Sequence, residues 1–98
     1  MNTTIYNLPV DYDNLCSVER RKVREQYIKE QDNMCWFCKE DLFSEPPERI
    51  TEKSINLKIF PIGFLNSPIH LQHDHDTGLT EGAVHGYCNA VLWQYYGR

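Results

Sequence analysis

Residues 69–89 read IHLQHDHDTGLTEGAVHGYCN, and the fold of the chain turns on them. Ile69, Leu71 and His73 alternate with His70, Gln72 and Asp74, the period-two pattern of a short strand. Three histidines (His70, His73, His75) and two aspartates (Asp74, Asp76) then fall within seven residues. A buried core histidine explains one such residue, not five. The plain reading of the cluster is a polar loop or an incidental second metal site; the sharper one is a centre that works on phosphodiesters. The rest of the loop, from Asp74 to Gly86, carries turn residues and one short strand over Ala83–Val84. The segment closes on His85-Gly-Tyr-Cys88, a pair of borderline-soft metal ligands three residues apart.

That pair has a counterpart upstream in Cys35-Trp-Phe-Cys38. One C-x2-C alone fits zinc or redox work equally. Joined to His85 and Cys88 it supplies four ligands, the complement of a closed structural zinc site. Cys16, the fourth cysteine, stands apart in a helical segment and is expected to be a small buried hydrophobe.

With 98 residues the chain allows one domain with a marginal core, which a metal would help to hold. We place an irregular segment over 1–12, where Pro9 prevents an early helix, and the zinc-stabilised domain over 13–98. Asp13 or Asn14 caps a helix that runs to about Gln31, with Leu15, Val18, Val23, Tyr27 and Ile28 as its inward stripe. Arg20, Arg21, Lys22 and Arg24 are expected mostly on the wet side of that helix, with a phosphate-facing role as the alternative. Residues 43–54, with Pro46 and Pro47, read as loop, and residues 55–60, INLKIF, as a strand. Residues 89–97, NAVLWQYYG, read as a short helix stopped by Gly97.

The opening ten residues lack the basic and apolar regions of a signal peptide, and no stretch reaches membrane-spanning length. The expectation is a protein of the cytoplasm, where stable disulfides are rare and closely spaced cysteines serve metals. The net charge of −4 is unusual for a nucleic-acid binder, so contact with DNA would depend on the basic helix and on a divalent metal.

Taken together, Cys35–Cys38, the His70–Gly78 run and Gly82–Asn89 resemble the phage recombination endonuclease VII family of the HNH, or ββα-metal (His-Me finger), nucleases. The resemblance spans about residues 14–97. It implies a small α+β fold with an N-terminal helix, a Cys3His structural zinc site, and a β-hairpin plus helix carrying the active site. It implies a metal-dependent DNA endonuclease, nicking or cleaving branched DNA, with DNA as partner and a homodimer as a possible state. His73 falls on the general base, His75 on the accessory histidine at the phosphate, and Asn89 on the ligand of a catalytic Mg2+ or Mn2+. Two positions depart from the family. Gln72 stands where an aspartate ligates that metal, with Asp74 as a substitute ligand, and Glu81 stands where the family carries a basic residue. These departures leave open a second function: a catalytically weakened HNH-fold zinc domain that binds DNA or protein, such as a phage modulator of a host or phage complex. A thioredoxin-like redox protein is disfavoured by the lack of a βαβ pattern.

Overall fold

The computed structural model describes residues 5–97, so the first four residues of the irregular segment, and Arg98, lie outside it. Helix α1 is Ser17–Glu30, helix α2 Glu48–Thr51, strand β1 Ile69–His73, strand β2 Thr80–His85 and helix α3 Gly86–Tyr96. The two strands form one antiparallel sheet, and α3 follows β2 without a break. No helix among the described residues is long and apolar enough to cross a membrane.

Helix α1 starts later than its sequence suggests. Asp11, not Asp13 or Asn14, caps a separate 3-10 turn over Tyr12–Asn14, accepting the Asp13 N–H at 3.1 Å. Cys16 is then the N-cap of α1, and its N–H is taken by the Glu19 carboxylate at 3.1 Å, one half of a capping box. Cys16 is therefore exposed rather than buried. Val23 and Tyr27 form the buried stripe of α1, Leu15 and Ile28 flank it, and Val18 faces solvent. Tyr27 shares a buried 2.8 Å hydrogen bond with Thr80, and Thr80 also accepts the Val10 N–H. One hydroxyl thus fastens α1, β2 and the segment before the first turn.

Strand β2 is longer than the two residues expected. Thr80, Gly82, Ala83, Val84 and His85 are all buried, so its burial does not alternate, and the period-two signal that marks a half-exposed strand is absent. Gly82 is required by packing. A Cβ there would meet Gln31 Oε1 at 2.7 Å and Trp36 Cγ at 2.8 Å. Gln31 uses this approach to accept the Ala83 N–H and to donate to the carbonyls of Ala83 and Met34.

Residues 55–60 do not form a strand. Asn56 accepts the Lys58 N–H and starts a 3-10 turn over Leu57–Ile59, leaving Leu57 and Ile59 exposed. Pro61 follows, and the turn chemistry of asparagine wins over alternation. The loop after Cys38 contains α2, which buries Ile50 beneath the metal cluster's side of the core. α3 ends at Gly97, whose left-handed backbone (φ 70°) closes the helix where the sequence expected.

Candidate functional site

Cys35 and Cys38 sit in a tight turn held by Cys35 N–H to Glu40 O and Lys39 N–H to Cys35 O. Trp36 N–H donates to Ala83 O, which sets this turn beside β2. His85 ends β2 and Cys88 lies in the first turn of α3, so the second pair arises where strand becomes helix. All four side chains are buried, and their ligand atoms lie within 4.8 Å of one another. Zinc–sulfur bonds of about 2.3 Å set ligand atoms roughly 3.5–3.8 Å apart in a tetrahedron. His85 Nδ1 lies 3.4 Å from Cys38 Sγ and 3.6 Å from Cys88 Sγ, close to that spacing.

The imidazole is also held in the right tautomer. His85 Nε2 donates to the backbone carbonyls of Asp41 at 2.8 Å and Ser44 at 3.0 Å, which leaves Nδ1 with its lone pair towards the sulfurs. The thiols themselves call for a cation. A hydrogen bond from Cys88 pulls the Cys35 thiol far below its ordinary range, the same bond pushes Cys88 up, and burial pushes Cys38 up. Three sulfurs this close cannot all ionise unaided, and a divalent cation is what lets them do so. The Cys3His cluster thus fits a structural zinc ion.

Along β1 opens a cleft of about 520 Å3. His70, Gln72, His73, His75, Asn89, Tyr12, Arg20, Arg24 and Trp93 all reach its wall. The register of the hairpin explains how His73 arrives there. Gln72 pairs with Gly82 but His73 pairs with Thr80, so Glu81 is an extra, bulged residue. A bulge bends the strand and re-aims the side chain at its end. His73 lies flat against Tyr12, with ring centroids 3.9 Å apart, and it also meets the ring of His75 at 4.6 Å. His75 in turn meets Trp93 at 4.8 Å. No hydrogen bond from a described residue reaches the ring of His73 or His75. Burial, reinforced by the charge of His75, pushes His73 below the ordinary imidazole range, so it is neutral at pH 7.

The remaining candidates are placed as follows. Gln72 is 1% exposed, and its amide donates to the His73 carbonyl at 3.0 Å and to the Glu81 carboxylate at 3.3 Å. Asn89 donates from its amide nitrogen to His70 Nδ1 at 3.1 Å, and His70 is kept neutral by burial. Asp74 accepts the N–H groups of Asp76 and Thr77 and does not line the cleft. Among the described residues the zinc cluster alone brings three or more His, Cys, Asp or Glu ligands together. The cleft therefore lacks the carboxylate set that a hard cation such as Mg2+ prefers.

Sequence reasoning missed Tyr12 and the role of His70 as the partner of Asn89, and it placed Arg20 and Arg24 mostly on the wet side, with a phosphate-facing role as the alternative. Both arginines are half-buried at the cleft rather than in the solvated face. Their spacing of four residues, one helix face, was the available signal.

Comparison of the chain with protein-family models, with curated proteins and with solved structures gave no match. What remains is geometry: a hairpin and a helix joined at a buried Cys3His cluster, with an N-terminal helix packed on the sheet. This arrangement is consistent with the broad HNH, or ββα-metal, superfamily. It does not single out one family within it.

Proposed function

We propose that the chain is a zinc-built ββα domain that binds nucleic acid in its cleft, with a weakened catalytic metal position. One observation carries this reading. The chain holds 14 Asp and Glu against 10 Lys and Arg, yet no carboxylate lines the cleft, while Arg20 and Arg24 do. Acidic chains that concentrate cations in one concave site favour an anionic ligand there. Phosphate is the anion that paired arginines on a helix face suit best.

The endonuclease VII-like reading supplies the weakness. At Gln72 an amide stands in the ligand position, and its nitrogen is engaged with Glu81. A neutral amide oxygen holds Mg2+ less well than a carboxylate. His73, His75 and Asn89 keep the residue types of a nuclease centre, and this favours the second reading, a metal-dependent endonuclease that hydrolyses slowly. His73 is neutral and no described residue hydrogen-bonds its ring nitrogens, as a general base requires.

The two readings part in a paired assay. Labelled DNA is titrated with zinc-loaded protein, wild type against Arg20→Ala and Arg24→Ala. The same proteins and His73→Ala are incubated with supercoiled and branched DNA in Mg2+ or Mn2+. Binding that needs the arginines, without cleavage, is the expected result. Cleavage abolished by His73→Ala establishes the endonuclease. Absence of any binding overturns both.

A further inference from the structure

The lining of the cleft is of two chemical kinds. Helix α1 contributes Arg20 and Arg24, and α3 and the 57–66 segment contribute aromatic rings. Phe60 and Phe64 stack with centroids 4.7 Å apart, and Phe64 meets His70 edge-on at 4.8 Å. Trp93 lies on the same cleft and is 41% exposed, a high value for so large an apolar side chain. Arg20 is held in place: its Nε and Nη2 donate to the Tyr12 carbonyl at 3.2 Å, and its guanidinium sits 3.9 Å above the Tyr12 ring.

We propose that this cleft takes an unpaired stretch of a single nucleic-acid strand, bases against Phe60, Phe64 and Trp93, phosphates on Arg20 and Arg24. The proposal rests on the nucleic-acid reading above and narrows its substrate class. A duplex keeps its base faces stacked inward, so it offers an aromatic wall no base to stack on, and proteins that hold it spread many cations along its backbone. This chain has a net charge of −4 and two arginines in the cleft, so it offers few cations to the backbone of a duplex. A single strand needs few cations, because each base that stacks on an aromatic ring adds affinity independent of charge. The cleft volume of about 520 Å3 is that of a small-ligand site, suited to one or two nucleotides and too small for a double helix.

Charge counting gives the proposal a number. Affinity for single strands falls with salt at about 0.7 log units per log unit for each phosphate engaged, so two arginines give a slope of about −1.4. The experiment is fluorescence anisotropy with the zinc-loaded full chain, a short labelled oligothymidylate, and a duplex of equal length, over a range of salt. The expected result is at least about tenfold tighter binding of the single strand, the shallow slope, and a loss of about tenfold in Trp93→Leu. Phe60→Leu, in a segment outside the zinc core, tests the same wall should the tryptophan variant fail to load zinc. Equal or tighter duplex binding that depends on Arg20 and Arg24 overturns the single-strand proposal and leaves the nucleic-acid reading standing. Single-strand affinity unchanged in the zinc-loaded aromatic variants overturns it too. Binding of neither polymer overturns both.

Discussion

Tyr12 lies parallel to His73, the two ring planes inclined by only 7° and their centroids 3.9 Å apart. With Arg20 on one face of Tyr12 and His73 on the other, the tyrosine is the middle layer of a stack that links α1 to the end of β1. Since no hydrogen bond from a described residue reaches the His73 ring, stacking is what orients it. Aromatic pairs of this kind contribute about 0.5–1.5 kcal/mol beyond burial. Tyr12→Phe keeps the stack and should leave stability and the upfield ring-current shift of the His73 ring protons in place. Tyr12→Leu should lose that shift and melt several degrees lower.

Zinc removal should unfold the domain. Structural zinc contributes apparent binding free energies of about 10–16 kcal/mol, comparable with or larger than the whole stability of a small domain at about 5–15 kcal/mol. A strong chelator should abolish the cooperative thermal transition, and added Zn2+ should restore it. Native mass spectrometry should find one zinc per chain, and none in Cys88→Ser. A chelator-treated chain that melts unchanged would contradict the structural role.

The two functional readings predict opposite responses to acid. Burial holds His70 and His73 below their values in the unfolded chain. Between the two values the unfolded chain binds more protons. Their contribution to stability is therefore complete above the unfolded value of about 6.5 and is lost as pH falls through it towards the folded value. Protonation of His73 adds positive charge to the cleft, so affinity for DNA should rise as pH falls through its midpoint. A reaction that uses neutral His73 as base should slow over the same interval. An NMR titration of the His73 ring locates the midpoint, which should lie below 6.5.

Gln72→Asp tests the departed position. The substitution removes an amide donor from Glu81 and sets a second carboxylate beside it, at a site 1% exposed. In the absence of added Mg2+ or Mn2+ the variant should lose at least about 1–3 kcal/mol. Millimolar Mg2+ or Mn2+ should recover part of that loss and leave wild type unaffected. Identical melting of the variant with and without the metal would show that Asn89 and position 72 do not share a cation.

Gly82→Ala should be costly although it adds one methyl group. The new Cβ meets Gln31 Oε1 and Trp36 Cγ inside 3 Å. Gln31 also accepts the Ala83 N–H, so it cannot withdraw without orphaning a buried backbone group. A loss of about 1–3 kcal/mol is expected from overpacking, seen as a lower denaturant midpoint at unchanged slope.

What the sequence made legible was local. Cys35, Cys38, His85 and Cys88 were readable because ligand spacing is set by the metal, and Gly97 because a helix stop needs a left-handed residue. Gln72 drew notice only through the family that the motifs resemble, where an aspartate is expected, and not through spacing. What depended on distant partners was hidden. Nothing near Asp11 announces that it, rather than Asp13, caps the first turn, or that Cys16 would take the helix cap and stay exposed. Residues 55–60 alternate like a strand but pair with no strand among the described residues, so the cap at Asn56 decides their conformation. The bulge at Glu81 appears only once the hairpin register is known, and the descent of Arg20 and Arg24 to the cleft only once α1 is docked on Thr80.

Cys88 and Asn89 are neighbours in the first turns of α3, one facing the metal cluster and the other bonded to His70 in the cleft. Two sites on adjacent residues of one turn have a direct route for coupling, and coupling is reciprocal: the factor by which zinc changes affinity at Asn89 is the factor by which a ligand there changes affinity for zinc. The occupancy of the cleft is then readable at the metal. A zinc-exchange rate measured with and without nucleic acid would report binding from the metal cluster, without touching the cleft at all.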